Sequence, residues 1–95
     1  MSAPKNKPTR IVVLVSGSGT NLQALIDASQ NFEYGVSIAA VGADRDDIEG
    51  LRRAERHDIP TFVLPLSDFA DRAAWDAALT AAVAEYDPEI VVLAG

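Results

Sequence analysis

Ninety-five residues make at most one domain, and a chain of that size buries only about 60–65% of the surface its unfolded form exposes, so its core is thin. Fourteen acidic against eight basic side chains leave a formal charge of −6, which argues against nucleic acid or an anionic membrane as a partner. A hydrophobic fraction of 48% argues against disorder of the whole chain, and the lack of cysteine removes disulfide and thiolate chemistry.

The opening MSAPKNKPTR holds two prolines and three of the eight basic residues before any periodic pattern, so residues 1–9 read as a frayed leader. From Arg10 to Val15 the residues are apolar or β-branched without alternation, the mark of a strand covered on both faces. This early apolar run is too short for a secretory signal or a membrane span, which makes the cytoplasm the expected location. Leu22, Leu25 and Ile26 then recur at helical spacing from Thr20 to about Gln30, with Thr20 or Ser18 available as the N-cap. Val36 to Ala43 forms a second strand that stops at Asp44.

Asp46 stands three residues before Glu49, a capping-box spacing, and opens a second helix that runs through Leu51 and Ala54 to about His57. Ile59 to Pro65 is a short strand bracketed by prolines, which suits the edge of a sheet. Asp71 caps a third helix in which Trp75, Leu79, Val83 and Tyr86 step every three or four residues, until Pro88 prevents continuation. Glu89 to Gly95 reads as a last buried strand.

This alternation predicts an α/β fold: an open parallel sheet with helices on both faces, Rossmann-like, with strand order 3-2-1-4. The first strand is then central, beside the crevice where the chain direction reverses and ligands bind. The segment SGSGTN follows it directly. Gly17 and Gly19 lack a Cβ and allow close approach and positive φ, while the first turn of the helix offers unpaired N–H groups and a partial positive charge. A phosphate suits these features, with the Thr20 hydroxyl and the Asn21 amide as further neutral donors. A bare strand-to-helix turn is the plainer alternative.

The loop lacks the third glycine of a dinucleotide fingerprint, where Leu22 stands, and the Gly-Lys-Ser/Thr of a Walker A loop. Asp44 at the end of the second strand keeps open a ribose-binding role as in nicotinamide domains. Asp44, Asp46 and Asp47 read as a strand end and a helix cap before they read as a cation site. The only histidine, His57, sits at a helix C-terminus facing the dipole or solvent, and Trp75 and Tyr86 read as packing against the sheet.

The stretch IVVLVSGSGTNLQALID, with GLRRA in the second helix and PEIVVLAG at the end, resembles the N-terminal part of the glycinamide ribonucleotide formyltransferase family over nearly the whole chain after the leader. The resemblance implies residues 10–95 as the phosphate-binding half of a formyltransferase domain. The implied reaction moves the formyl group of 10-formyltetrahydrofolate to the primary amine of glycinamide ribonucleotide, in purine biosynthesis and without a metal. It places the substrate phosphate on Gly19, Thr20 and Asn21, makes Arg72 a residue bordering the folate, and sets Gly95 at the start of a segment that walls the folate pocket.

The family's catalytic Asn, His and Asp lie beyond the equivalent of Gly95, so the chain alone is expected to be inactive. If the chain ends there, its last strand has an unpaired edge, which predicts a homodimer or pairing with a separate C-terminal fragment. Two other classes stand beside the enzyme reading. One is a stand-alone module for a nucleotide or phosphorylated ligand, the other a structural domain whose loop binds nothing.

Overall fold

Strand β1 (Thr9–Val15) runs through the middle of a four-stranded sheet. The computed structural model describes residues 8–31 and 35–94. β1 pairs in parallel with β2 (Val36–Ala43) on one side and β4 (Ile90–Leu93) on the other, and β2 pairs in parallel with β3 (Thr61–Val63) at the outer edge. The order β3-β2-β1-β4 is the one expected.

The unbroken apolar run of β1 reflects cover on both faces, because successive side chains of a strand point opposite ways. Ile11, Val13 and Val15 join Val41 and Ala43 in a core closed by Leu22 and Ile26 of α1 (Thr20–Ser29) and by Leu51 and Ala54 of α2 (Glu49–Arg56). The alternate residues Val12 and Leu14 face the other side, where α3 (Arg72–Ala84) lies. Register shifts between Ile11 and Val12, so Ile38 and Ala40 face consecutive β1 residues and Ala39 is bulged.

The third helix is held less deeply than the other two. Its N-cap is as expected, the Asp71 carboxylate accepting from the Ala74 amide at 2.8 Å, a contact worth about 1 kcal/mol. None of its side chains is fully buried. Trp75 Nε1 donates to the Leu64 carbonyl at 2.7 Å, and Tyr86, just past the helix, stacks on Phe62 with centroids 5.9 Å apart. Both aromatics therefore pack against the sheet, half-buried. A single 3-10 turn at Leu66–Asp68, which sequence periodicity does not show, leads into the helix.

Several expectations need correction. Thr9 already belongs to β1, its amide donating to the Gly35 carbonyl at 2.8 Å, while the rest of the proposed leader, apart from exposed Pro8, lies outside the described residues. The N-cap of α1 is Gly19, with no side-chain cap from Ser18 or Thr20. Asp46 does not cap α2, which opens after an extended Ile48. Glu49 instead bonds Arg56 at 2.7 Å, and that bond holds its carboxyl below the ordinary carboxylate range.

The last strand differs most from expectation. It is not buried: Ile90 is 53% exposed, Val91 43% and Leu93 80%. Among the described residues β4 meets a strand only along its β1 edge, and α3 anchors at Leu64 and Phe62, on the β3 side. Gly95 lies outside the described residues. No helix among those described is long and apolar enough to cross a membrane.

Candidate functional site

β1 ends at buried Val15, and Ser16, Gly17 and Ser18 form an exposed loop before α1. Gly19 then takes a left-handed conformation, φ 76° and ψ 26°, as the helix N-cap. A Cβ there would sit 2.5 Å from the Gly50 Cα, so the position demands glycine both for its dihedral and for its space. The first helical bond runs from the Gln23 amide to the Gly19 carbonyl at 2.8 Å, which leaves the amides of Thr20, Asn21 and Leu22 outside the helical ladder.

Thr20 and Asn21 are exposed, and among the described residues their amides meet no protein acceptor. Unpaired amides at a helix N-terminus carry partial positive charge and suit an anion. The three residues singled out for a phosphate thus share one helix entrance.

The opening turns of α2 brace this loop from behind. The Gly50 amide donates to the Gly17 carbonyl at 3.0 Å, Arg53 Nε donates to the Ser18 carbonyl at 2.8 Å, and Arg53 Nη1 donates to Gln23 Oε1 at 3.1 Å. Sequence reasoning missed this brace because its members are far apart along the chain.

Ahead of the loop lies a cavity of about 350 Å³, bounded by Leu14, Ser16, Gly42, Asp44, Trp75 and Leu93 among others. It too was missed, since the spacing of Trp75 and Leu79 is satisfied by sheet packing alone. Arg72, the first residue of α3, stands beside Trp75 with its guanidinium 4.7 Å from the ring centroid, and Nε reaches Asp76 at 3.4 Å. Ser16, at the head of the loop, and Trp75, on whose ring Arg72 rests, both line this cavity.

The remaining candidates fall elsewhere. Asp44 is half-buried at the cavity wall and pairs with Arg45 at 3.4 Å. Asp47 pairs with Arg52, and no group of three or more His, Cys, Asp or Glu side chains among the described residues is placed to hold a metal ion. His57 caps the far end of α2, exposed, about 6 Å along the helix from Arg53 and about 10 Å from Gly50, the residues that brace the loop.

The family model described as formyl transferase matches residues 9–95. The chain belongs to the formyl transferase family. The chain is 40% identical over 95 residues to the phosphoribosylglycinamide formyltransferase of Mycobacterium tuberculosis, covering all of this chain and 43% of that protein. It is 42% identical over 97 residues to the trifunctional purine biosynthetic protein adenosine-3 of Chironomus tentans, covering 7% of it.

Among solved structures, that of the phosphoribosylglycinamide formyltransferase from Coxiella burnetii in complex with CHES superposes with a TM-score of 0.89 at 45% identity. The match spans 94% of this chain and 42% of that one. The chain thus spans less than half the length of these two phosphoribosylglycinamide formyltransferases.

Proposed function

We propose that residues 10–95 are the N-terminal, phosphate-binding half of a phosphoribosylglycinamide formyltransferase. In this reading the Gly19, Thr20 and Asn21 main chain holds the phosphate of glycinamide ribonucleotide. The substrate's primary amine attacks the formyl carbon of 10-formyltetrahydrofolate; a C–N bond forms, the bond from that carbon to the folate nitrogen breaks, and the amine's proton passes to that nitrogen. The reaction as written needs no metal. Groups that polarise the formyl oxygen and manage the proton belong, by the family resemblance, to the polypeptide beyond Gly95.

The half-site has a definite task in such a reaction. A phosphate gripped far from the reacting amine supplies binding energy that fixes where the amine sits. The observation that carries the reading is the set of acceptor-free amides at the α1 entrance, within a chain that matches the formyl transferase model from end to end of its described fold.

Arg72 extends the proposal to the co-substrate. Its guanidinium is exposed, and a planar fork of donors suits the carboxylates of a folate tail. We also place the protein in the cytoplasm, as an acidic chain without cysteine.

The test is amide-resolved NMR of the labelled protein titrated with glycinamide ribonucleotide, inorganic phosphate and NAD. The expected result is preferential binding of glycinamide ribonucleotide with shifts concentrated from Gly17 to Asn21, and, on adding 10-formyltetrahydrofolate, a shift at the Arg72 side chain. Preference for NAD supports the nucleotide module that Asp44 left open. Shifts confined to other parts of the fold overturn the phosphate reading.

The exposed β4 carries the partner proposal. Among the described residues its outer side meets no strand and Ile90, Val91 and Leu93 are exposed, which suits the addition of another strand there. The 95-residue polypeptide is expected to dimerise through this edge, or to pair with a separately supplied C-terminal half. Light scattering at rising concentration checks it, with Val91→Lys expected to shift the population toward monomer. A stable monomer at high concentration counts against it.

A further inference from the structure

We infer that Arg53 is the positioning residue of the phosphate loop: its guanidinium bridges the Ser18 carbonyl and the Gln23 side chain and so keeps the loop's amides turned outward toward an anion. The inference rests on the phosphate reading above and assigns the part of the fold that makes it work.

The geometry is specific. In a trans peptide the carbonyl of one residue and the N–H of the next point in opposite directions, and no peptide bond among the described residues is cis. The Gly17 carbonyl is drawn toward α2 by the Gly50 amide, so the Ser18 N–H points away from α2. The Ser18 carbonyl is drawn the same way by Arg53 Nε, so the Gly19 N–H also points away. Both amides thereby face away from α2, and Thr20 and Asn21 carry the chain on from there into α1. Without Arg53 no other described residue holds the Ser18 carbonyl, and a half-turn of that peptide would present an oxygen to the phosphate in place of a donor.

Charge makes the same assignment. Three arginines lie on α2, and two of them satisfy carboxylates: Arg52 pairs with Asp47 and Glu49, and Arg56 with Glu49. Arg53, half-buried, donates to a carbonyl and an amide oxygen, both neutral, and forms no salt bridge among the described residues. A cation hydrogen-bonded to neutral acceptors beside an anion site lends its field to the ligand as well as to nearby Glu49, which matters in a protein of net charge −6. Bridging two acceptors in fixed directions uses the planar fork of arginine, which a lysine ammonium does not reproduce.

Three variants separate position from charge. Arg53→Lys keeps the charge and loses the bridge, Arg53→Gln loses the charge, and Arg52→Gln removes the same charge one residue along the helix, on the solvent side. NMR titration with glycinamide ribonucleotide and with inorganic phosphate reads affinity, and thermal unfolding confirms that each variant is folded.

The expected result is a loss of about ten-fold in affinity for Arg53→Lys and more for Arg53→Gln, with Arg52→Gln close to the parent. In the unliganded protein the Ser18 and Gly19 amide signals are expected to move in Arg53→Lys and to stay in Arg52→Gln. Affinity should also fall less steeply with salt in Arg53→Gln than in the parent. If the parent binds and Arg53→Lys binds equally well with unmoved Ser18 and Gly19 signals, the positioning role is overturned while the phosphate site stands. If the parent itself shows no response from Gly17 to Asn21, the phosphate reading fails and this inference falls with it.

Discussion

Replacing Gly19 with alanine is expected to destabilise the fold by about 2–5 kcal/mol and to remove the loop's affinity for phosphate. Two costs add. An L-residue held in the left-handed region costs about 1–2 kcal/mol, and Gly19 sits at φ 76°. The new methyl would also lie 2.5 Å from the Gly50 Cα, a main-chain atom inside α2. Gly50 has little room to retreat, because a Cβ built on it already meets Val15 Cγ2 at 3.0 Å and the Gly17 carbonyl at 3.2 Å. Overpacking of that kind costs about 1–3 kcal/mol.

The total is a large share of the stability of a small domain, about 5–14 kcal/mol at 95 residues. Gly17→Ala is the control, since a methyl there meets nothing within 4 Å and the backbone is not left-handed. Urea unfolding and phosphate titration of the two variants side by side check the contrast. If Gly19→Ala unfolds at the same urea concentration as Gly17→Ala, α2 slides freely past the loop and the close packing at Gly50 is not a constraint.

Features set by neighbouring residues were readable from the chain. β2 occupies Val36–Ala43 as expected, because a β-branched run ended by Asp44 carries its own boundaries. Asp71 caps α3 because capping is a contact within one turn, and the prolines around β3 mark an edge that the sheet order confirms. Strand order followed from alternation, short connections and the usual order of a doubly wound sheet.

Features decided by distant residues were not. Ser18 and Thr20 both look like caps, yet the chain turns left-handed at Gly19, packed against Gly50, and the cap falls there. The box spacing of Asp46 and Glu49 is outcompeted by Arg52 and Arg56, which take the Glu49 carboxylate from the next turns of α2. The apolar β4 reads as buried because hydrophobicity reports what a residue favours, and nothing in IVVL says whether a neighbour arrives to cover it. At the site, the three loop residues were legible as a cluster, whereas Arg53 was not, since 35 positions separate it from the carbonyl it holds.

Trp75→Ala is expected to cost about 3 kcal/mol and to release α3 from the sheet as a unit while α1 and α2 stay folded. The helix has no buried side chain of its own to hold it. Its attachments are the Trp75 indole on the Leu64 carbonyl, the Tyr86 stack on Phe62, and the Arg10 guanidinium, which donates to the Tyr86 and Asp87 carbonyls beyond its C-terminus. Of these, the indole is the attachment nearest the helix N-terminus, where Arg72 lies. Trp75→Phe keeps most of the ring and loses the N–H, for an expected cost of about 1 kcal/mol.

Hydrogen exchange resolves the release: amides of α3 should lose protection in Trp75→Ala, and those of α1 should keep it. The functional consequence separates the two halves of the proposed site. Arg72 rests on the Trp75 ring, whereas the phosphate loop is braced by α2, so the variant should weaken 10-formyltetrahydrofolate binding several-fold more than phosphate binding. Equal losses for both ligands would mean that α3 and the loop open together, as one cooperative unit across the cavity.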